Sequence, residues 1–104
     1  MAAEALANGL PVLASDRGAL PETLGEAGFL FTLPEHCSPA NAGLPTAREV
    51  APWVATIERL WDDAAWEGAH RERALIEARR WDNDALARRY EEFFAGVLRG
   101  VATP

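Results

Sequence analysis

The chain has 104 residues, 49% of them hydrophobic and 25% charged, with sixteen acids against ten arginines, no lysine and a formal net charge of -6. Those proportions exclude a disordered tail, and the charge excludes nucleic acid as the main partner and electrostatic docking on an anionic membrane, since both need a basic face. No run of about 18 apolar residues marks a transmembrane helix, no signal peptide is legible, and the single Cys37 excludes an internal disulfide and points to a reducing, cytoplasmic compartment.

The opening segment from Met1 to Asn8 is a strong helix former closed by Gly9, the residue favoured just past a helix end. Eight residues are too few to hold a helix alone, so the segment reads as the tail of a longer element. Pro11 to Ser15 is a short apolar run bounded by turn formers, which suits a buried parallel strand. Asp16 to Glu22 follows as a loop with a helical turn, and Gly28 to Thr32 reads as a second strand closed by Pro34. Helix, strand, loop, strand is the rhythm of an open α/β sheet. Two strands do not make a stable sheet, so further strands are expected upstream.

Residues 35–45 contain two prolines, a glycine, a serine and an asparagine, and are expected to form an irregular loop. Thr46-Ala47-Arg48-Glu49 is a capping box, with Pro52 expected near the start of the main helix after a short first turn. Val50, Trp53, Val54, Ile57, Leu60 and Trp61 then fall on one helical face. Asp62 or Asp63 is expected to cap a second helix running to about Arg80, with a stripe of Trp66, His70, Ala74, Ile76, Glu77 and Trp81. Asp82 caps a third helix with an aromatic face of Leu86, Tyr90, Phe93, Phe94 and Val97, ended by Gly100 and Pro104. One partial domain is therefore expected: an α/β portion over 1–34, a loop over 35–45 and a helical portion over 46–100.

The informative stretch is Glu4 to Asp16 (EALANGLPVLASD), followed by Gly18-Ala19-Leu20-Pro21-Glu22 and Ala27-Gly28-Phe29-Leu30. In this order and spacing it resembles the C-terminal domain of retaining glycosyltransferases with the two-domain GT-B architecture, the group 1, family four type that shares a Glu-x7-Glu motif. The resemblance extends over nearly the whole chain, including Ala87-Arg88-Arg89-Tyr90 in a capped last helix. It implies a partial Rossmann-like subdomain with a short parallel sheet and a mainly helical C-terminal half. It also implies a nucleoside-diphosphate sugar as substrate and no metal or other cofactor.

By this resemblance Glu4 is the motif's second carboxylate and holds the ribose of the donor. A carboxylate can accept two hydrogen bonds from vicinal hydroxyls. The plainer alternative is a solvated helix carboxylate favoured by the helix dipole. The motif's first carboxylate belongs eight positions before Glu4, whereas only three residues precede it here. By the same resemblance the basic pair for the diphosphate and the N-terminal acceptor-binding domain also lie upstream. The chain alone is thus expected to bind donor weakly and not to turn over, because those charges stabilise the leaving diphosphate.

Ser15, Asp16, Arg17 and Gly18 end the first strand and form a possible donor-site loop; an ordinary loop ion pair is the alternative for Asp16 and Arg17. Glu22 reads as a structural or capping acid. His36-Cys37 and the distant His70 lack metal-ligand spacing, and no third group is evident to orient a Cys/His nucleophile. Trp53, Trp61, Trp66 and Trp81 read as packing residues rather than a sugar-stacking platform. In the GT-B architecture the last helix crosses back onto the N-terminal domain, so part of the aromatic face should be exposed here and drive homo-oligomerisation. A non-catalytic α/β protein-interaction module, or a remnant, stands as the competing reading.

Overall fold

A computed structural model describes residues 1–100, with backbone only at residue 42. In chain order the elements are α1 (Ala2–Ala7), β1 (Leu13–Ser15), α2 (Leu20–Leu24), β2 (Phe29–Phe31), β3 (Cys37–Ser38), β4 (Asn41–Ala42), α3 (Ala47–Asp62), α4 (Ala64–Ala78), a 3-10 turn (Arg79–Trp81) and α5 (Asn83–Leu98). The architecture is α/β and mostly helical. Pro104, read from the sequence as a helix stop, lies outside the described residues.

Helix α1 ends where Gly9 takes φ 68, a left-handed conformation that costs glycine least. A Cβ at that position would meet Arg71 Cγ of α4 at 3.2 Å, so the glycine also permits close packing. Strands β1 and β2 pair in parallel through Leu13–Phe29, Ala14–Leu30 and Ser15–Phe31. The register is set by the Phe29 N–H, which donates to the Val12 carbonyl at 2.8 Å. That approach requires Gly28, whose Cβ would lie 2.8 Å from the same oxygen.

The fully enclosed core is small: Leu6 of α1, Leu24 of α2, Ala27 and Ala74 of α4. Complete burial of each leucine contributes about 1.5–3 kcal/mol. Aromatic contacts extend this core across β2. Phe31 stacks on Trp53 at 4.6 Å, and Phe29 meets Trp66 at 5.2 Å and His70 at 4.6 Å. The Arg59 guanidinium lies 4.0 Å over the Trp66 ring. Trp53 and Trp66 therefore pack as the sequence suggested, whereas Trp61 is 87% exposed.

Polar ties join the end of α4 and the 3-10 turn to α2 and the residues just after it. A five-residue helix leaves its last carbonyls without intrahelical partners. Arg80 donates to the Glu22 carbonyl at 2.7 Å and the Thr23 carbonyl at 3.2 Å, and Trp81 Nε1 donates to the Thr23 carbonyl at 3.1 Å. Glu77 holds Arg80 at 3.2 Å and accepts the Glu26 N–H at 3.2 Å. A carboxylate thus sits within an otherwise apolar stripe because it meets backbone and arginine there, not the core.

Three expectations need correction. Residues 35–45 are not wholly irregular: β3 and β4 form a small antiparallel hairpin pairing Cys37 with residue 42 and Ser38 with Asn41. Helix α3 is one continuous helix with Pro52 inside it, rather than a short turn followed by a new start. Its capping box is complete at Thr46, and Trp53 anchors the next residue on Phe31, so the helix runs through the one backbone bond that proline removes. Val54 and Ile57, read as part of an apolar face, are about half exposed at 45% and 53%.

The shape is flat and open, 55 × 39 × 16 Å with a radius of gyration of 17.8 Å. A compact chain of this length has a radius of about 13 Å. The accessible surface is 7734 Å², against about 5,700 Å² for a compact monomer of this mass. Helix α5 packs chiefly on the 3-10 turn and leaves Tyr90, Phe93, Phe94 and Val97 exposed.

Candidate functional site

Glu4 stands in the first turn of α1 with its side chain exposed. It lines an open groove of about 700 Å³ whose other walls include Leu75, Arg79, Asp82, Asn83 and Arg88. The groove exists because the 3-10 turn bends the chain between α4 and α5, and Asp82 caps the new helix by accepting the Ala85 N–H at 3.4 Å. The groove's lining includes the acids Glu4 and Asp82 and the arginines Arg79 and Arg88. Such a surface can accept hydrogen bonds from a diol at Glu4 and donate paired hydrogen bonds to an anion from the arginines.

The start of α1 packs beside α2, not against a strand end. Met1, Ala2 and Ala3 share a second cleft with Ala19 and Leu20, just beyond the loop that follows the strand. The loop itself faces elsewhere. Ser15 closes β1 half-buried. The Asp16 carboxylate accepts from Thr32 Oγ1 at 3.0 Å, and Arg17 donates to the Cys37 carbonyl at 3.1 Å and the Pro34 carbonyl at 3.5 Å. Among the described residues, Asp16 and Arg17 form no ion pair with each other; each is held by the segment after β2 instead. Gly18, at φ 63, has open space around its Cα.

The candidate residues therefore fall into two places. Glu4 lines the α1–α4–α5 groove, whereas Arg17 lines another of about 810 Å³ bounded by the hairpin and the start of α3. None of residues 15–18 lines the Glu4 groove. Glu22 occupies the first turn of α2, where an acid favours the helix dipole.

Two features were not legible in the sequence. Arg79 and Arg88 reach the Glu4 groove from positions more than seventy residues away, and only the bend at 79–81 brings them there. Near the hairpin, His36 Nε2 lies 2.9 Å from both carboxylate oxygens of Glu49, and its Nδ1 lies 3.7 Å from Cys37 Sγ. Glu49 is thus the third group, missing from the sequence reading, that orients the imidazole beside the thiol. The Thr46 backbone N–H, and after it the His36 ring, holds the Glu49 carboxyl below its ordinary range.

Among the described residues, no group of three or more His, Cys, Asp or Glu side chains is placed to hold a metal ion. No helix among them is long and apolar enough to cross a membrane. Comparisons of this chain with protein-family models, with curated proteins and with solved structures give no match.

Proposed function

We propose that this chain is the nucleotide-sugar-binding C-terminal part of a retaining glycosyltransferase of GT-B type, acting in the cytoplasm on a nucleoside-diphosphate sugar. The reading starts from the ordered motif running from Glu4 through Gly9-Leu10-Pro11 to Pro21-Glu22. The observation that carries it is the placement of Glu4, an exposed carboxylate on an open groove that also presents Arg79 and Arg88. Glu4 accepts the ribose hydroxyls. The two arginines supply positive charge for the diphosphate in a chain that is otherwise strongly acidic. Ser15, Asp16, Arg17 and Gly18 lie outside that groove and are given no part in holding the donor.

Sugar transfer with retention also needs groups that stabilise the departing diphosphate and the oxocarbenium-like sugar. In this reading they come from an N-terminal acceptor domain and from residues preceding Glu4 in the motif. The chain supplies donor binding, and the exposed face of α5 supplies the contact with that domain.

Binding of a nucleoside diphosphate to wild type and Glu4→Gln, measured by calorimetry, tests the assignment. Loss of charge-assisted hydrogen bonds is worth about 1.5–3 kcal/mol, so the variant should bind about 10–100-fold more weakly. Equal affinity in the two proteins contradicts the role given to Glu4.

A second reading, a non-catalytic α/β interaction module, is favoured by the open shape and by the bare aromatic side of α5. It predicts no nucleotide affinity in either protein.

A further inference from the structure

The hairpin β3–β4 gathers three groups that the donor site does not use. His36 presents Nε2 to both Glu49 oxygens at 2.9 Å and Nδ1 to Cys37 Sγ at 3.7 Å. An ionised carboxylate only accepts hydrogen bonds, so Nε2 donates to Glu49, and in the neutral imidazole Nδ1 is the acceptor that faces the thiol. Glu49 cannot swing away freely, because it also accepts the Thr46 N–H at 2.8 Å within the capping box of α3. On the other side the Arg17 guanidinium donates to the carbonyl of Cys37 itself at 3.1 Å. The charged and titratable groups around this cysteine are therefore His36 from the hairpin, Glu49 from α3 and Arg17 from the loop after β1.

This is the geometry of a nucleophile beside a base that a third group orients. The sulfur is not sealed off: Cys37 is half-buried and lines the groove of about 810 Å³, with Val50 and Trp53 forming an apolar wall and Arg17 a cationic one. We propose that Cys37 is a covalent modification site, a thiol that exchanges with small disulfides entering this groove, with His36 as its general base and Glu49 as the positioning residue. A disulfide with an aromatic body and an anionic substituent matches the two walls. In the exchange the Cys37 sulfur attacks one sulfur of the disulfide while its proton passes to His36 Nδ1. A new S–S bond forms, the old one breaks, and the departing thiolate leaves with the electron pair.

The test is the rate of reaction of the whole chain with dithiobis(nitrobenzoate), an aromatic anionic disulfide whose departing thiolate is coloured. Cys37 is the only cysteine, so the colour reports one site. At a pH of about 7.5, His36→Gln should slow the reaction about tenfold, a general-base effect somewhat below the usual range. At a pH of about 9.5, hydroxide in solution takes the thiol proton in place of His36, and the two rates should converge. Glu49→Gln keeps an acceptor for the capping box and removes the charge, so it should slow the reaction in the same pH-dependent way by a smaller factor. Equal rates for wild type and His36→Gln near neutrality overturn the proposal. So does a difference that persists at high pH, which reports access rather than proton transfer. A Glu49→Gln rate equal to wild type at neutral pH overturns the positioning role.

Discussion

The layer formed by α1, α2 and α4 and the arm formed by α5 both carry large apolar side chains, and they dispose of them in opposite ways. In the layer, Leu6 and Leu24 are completely enclosed and Ala74 lies beneath them. In the arm, Tyr90 and Phe94 are 63% and 59% exposed, and Phe93 and Phe94 contact one another edge-on at 5.4 Å. Local signals are sound in both regions, since α4 and α5 each have an aspartate cap. The difference lies in whether a second surface is present to close against. Amphipathic pattern makes a helix and chooses its sticky side; only a facing element turns that side into core.

The largest break of this comparison comes from the layer. Leu24→Ala leaves a cavity in a core with few other members and should cost about 2–5 kcal/mol, read as a lower denaturant midpoint. Arg80→Ala comes next. It strips two hydrogen bonds from the end of α2, and about 1 kcal/mol of stability should disappear without change in helical content.

Acid should act on the hairpin side before it reaches the layer. The folded-state pKa of Glu49 is depressed, so the stabilisation from its carboxylate is present above the unfolded value of about 4.3 and is lost as pH falls through the lower folded value. Amide exchange at Thr46 to Glu49 should therefore quicken in that window while Leu6 and Leu24 keep their protection.

The smallest stability effect belongs to the arm. The double substitution Phe93→Ser with Phe94→Ser should move stability by less than about 0.5 kcal/mol. Its consequence is association instead. The surplus of accessible surface exceeds the roughly 800 Å² per partner of an ordinary interface, so wild type should form dimers or larger species by light scattering and the double variant should not. A wild-type monomer at high concentration removes α5 as a docking face.

What the sequence revealed, and what it hid, follows the range of each interaction. The stop at Gly9, the capping box of Thr46 and Glu49, and the caps at Asp63 and Asp82 are short-range patterns, and each stands in the structure where it was read. The parallel pairing of β1 with β2 was legible because two apolar runs flank a turn-and-helix connection. The hairpin of β3 and β4 was not, since two-residue strands show no alternation and prolines masked the turn. Pro52 misled for a related reason: proline's local cost was visible, but the stacking of Trp53 on Phe31 that offsets it is a tertiary contact. Glu4 was singled out by the motif around it, as a proposal. Arg79 and Arg88 on the same groove were not, because a bend over three residues sets their position. His36 and Glu49 are thirteen residues apart and meet only through the hairpin.

The central claim is that the Glu4 groove receives a nucleoside diphosphate, and backbone NMR suits it because weak binding remains visible. Uridine, guanosine and adenosine diphosphate would be titrated in turn into the intact chain. The account predicts, for at least one of them, saturable shifts gathered at Glu4, Arg79 and Arg88, with Phe93 and Phe94 unmoved. Saturable shifts confined to the α5 aromatic face, or none with any of the three, would contradict it.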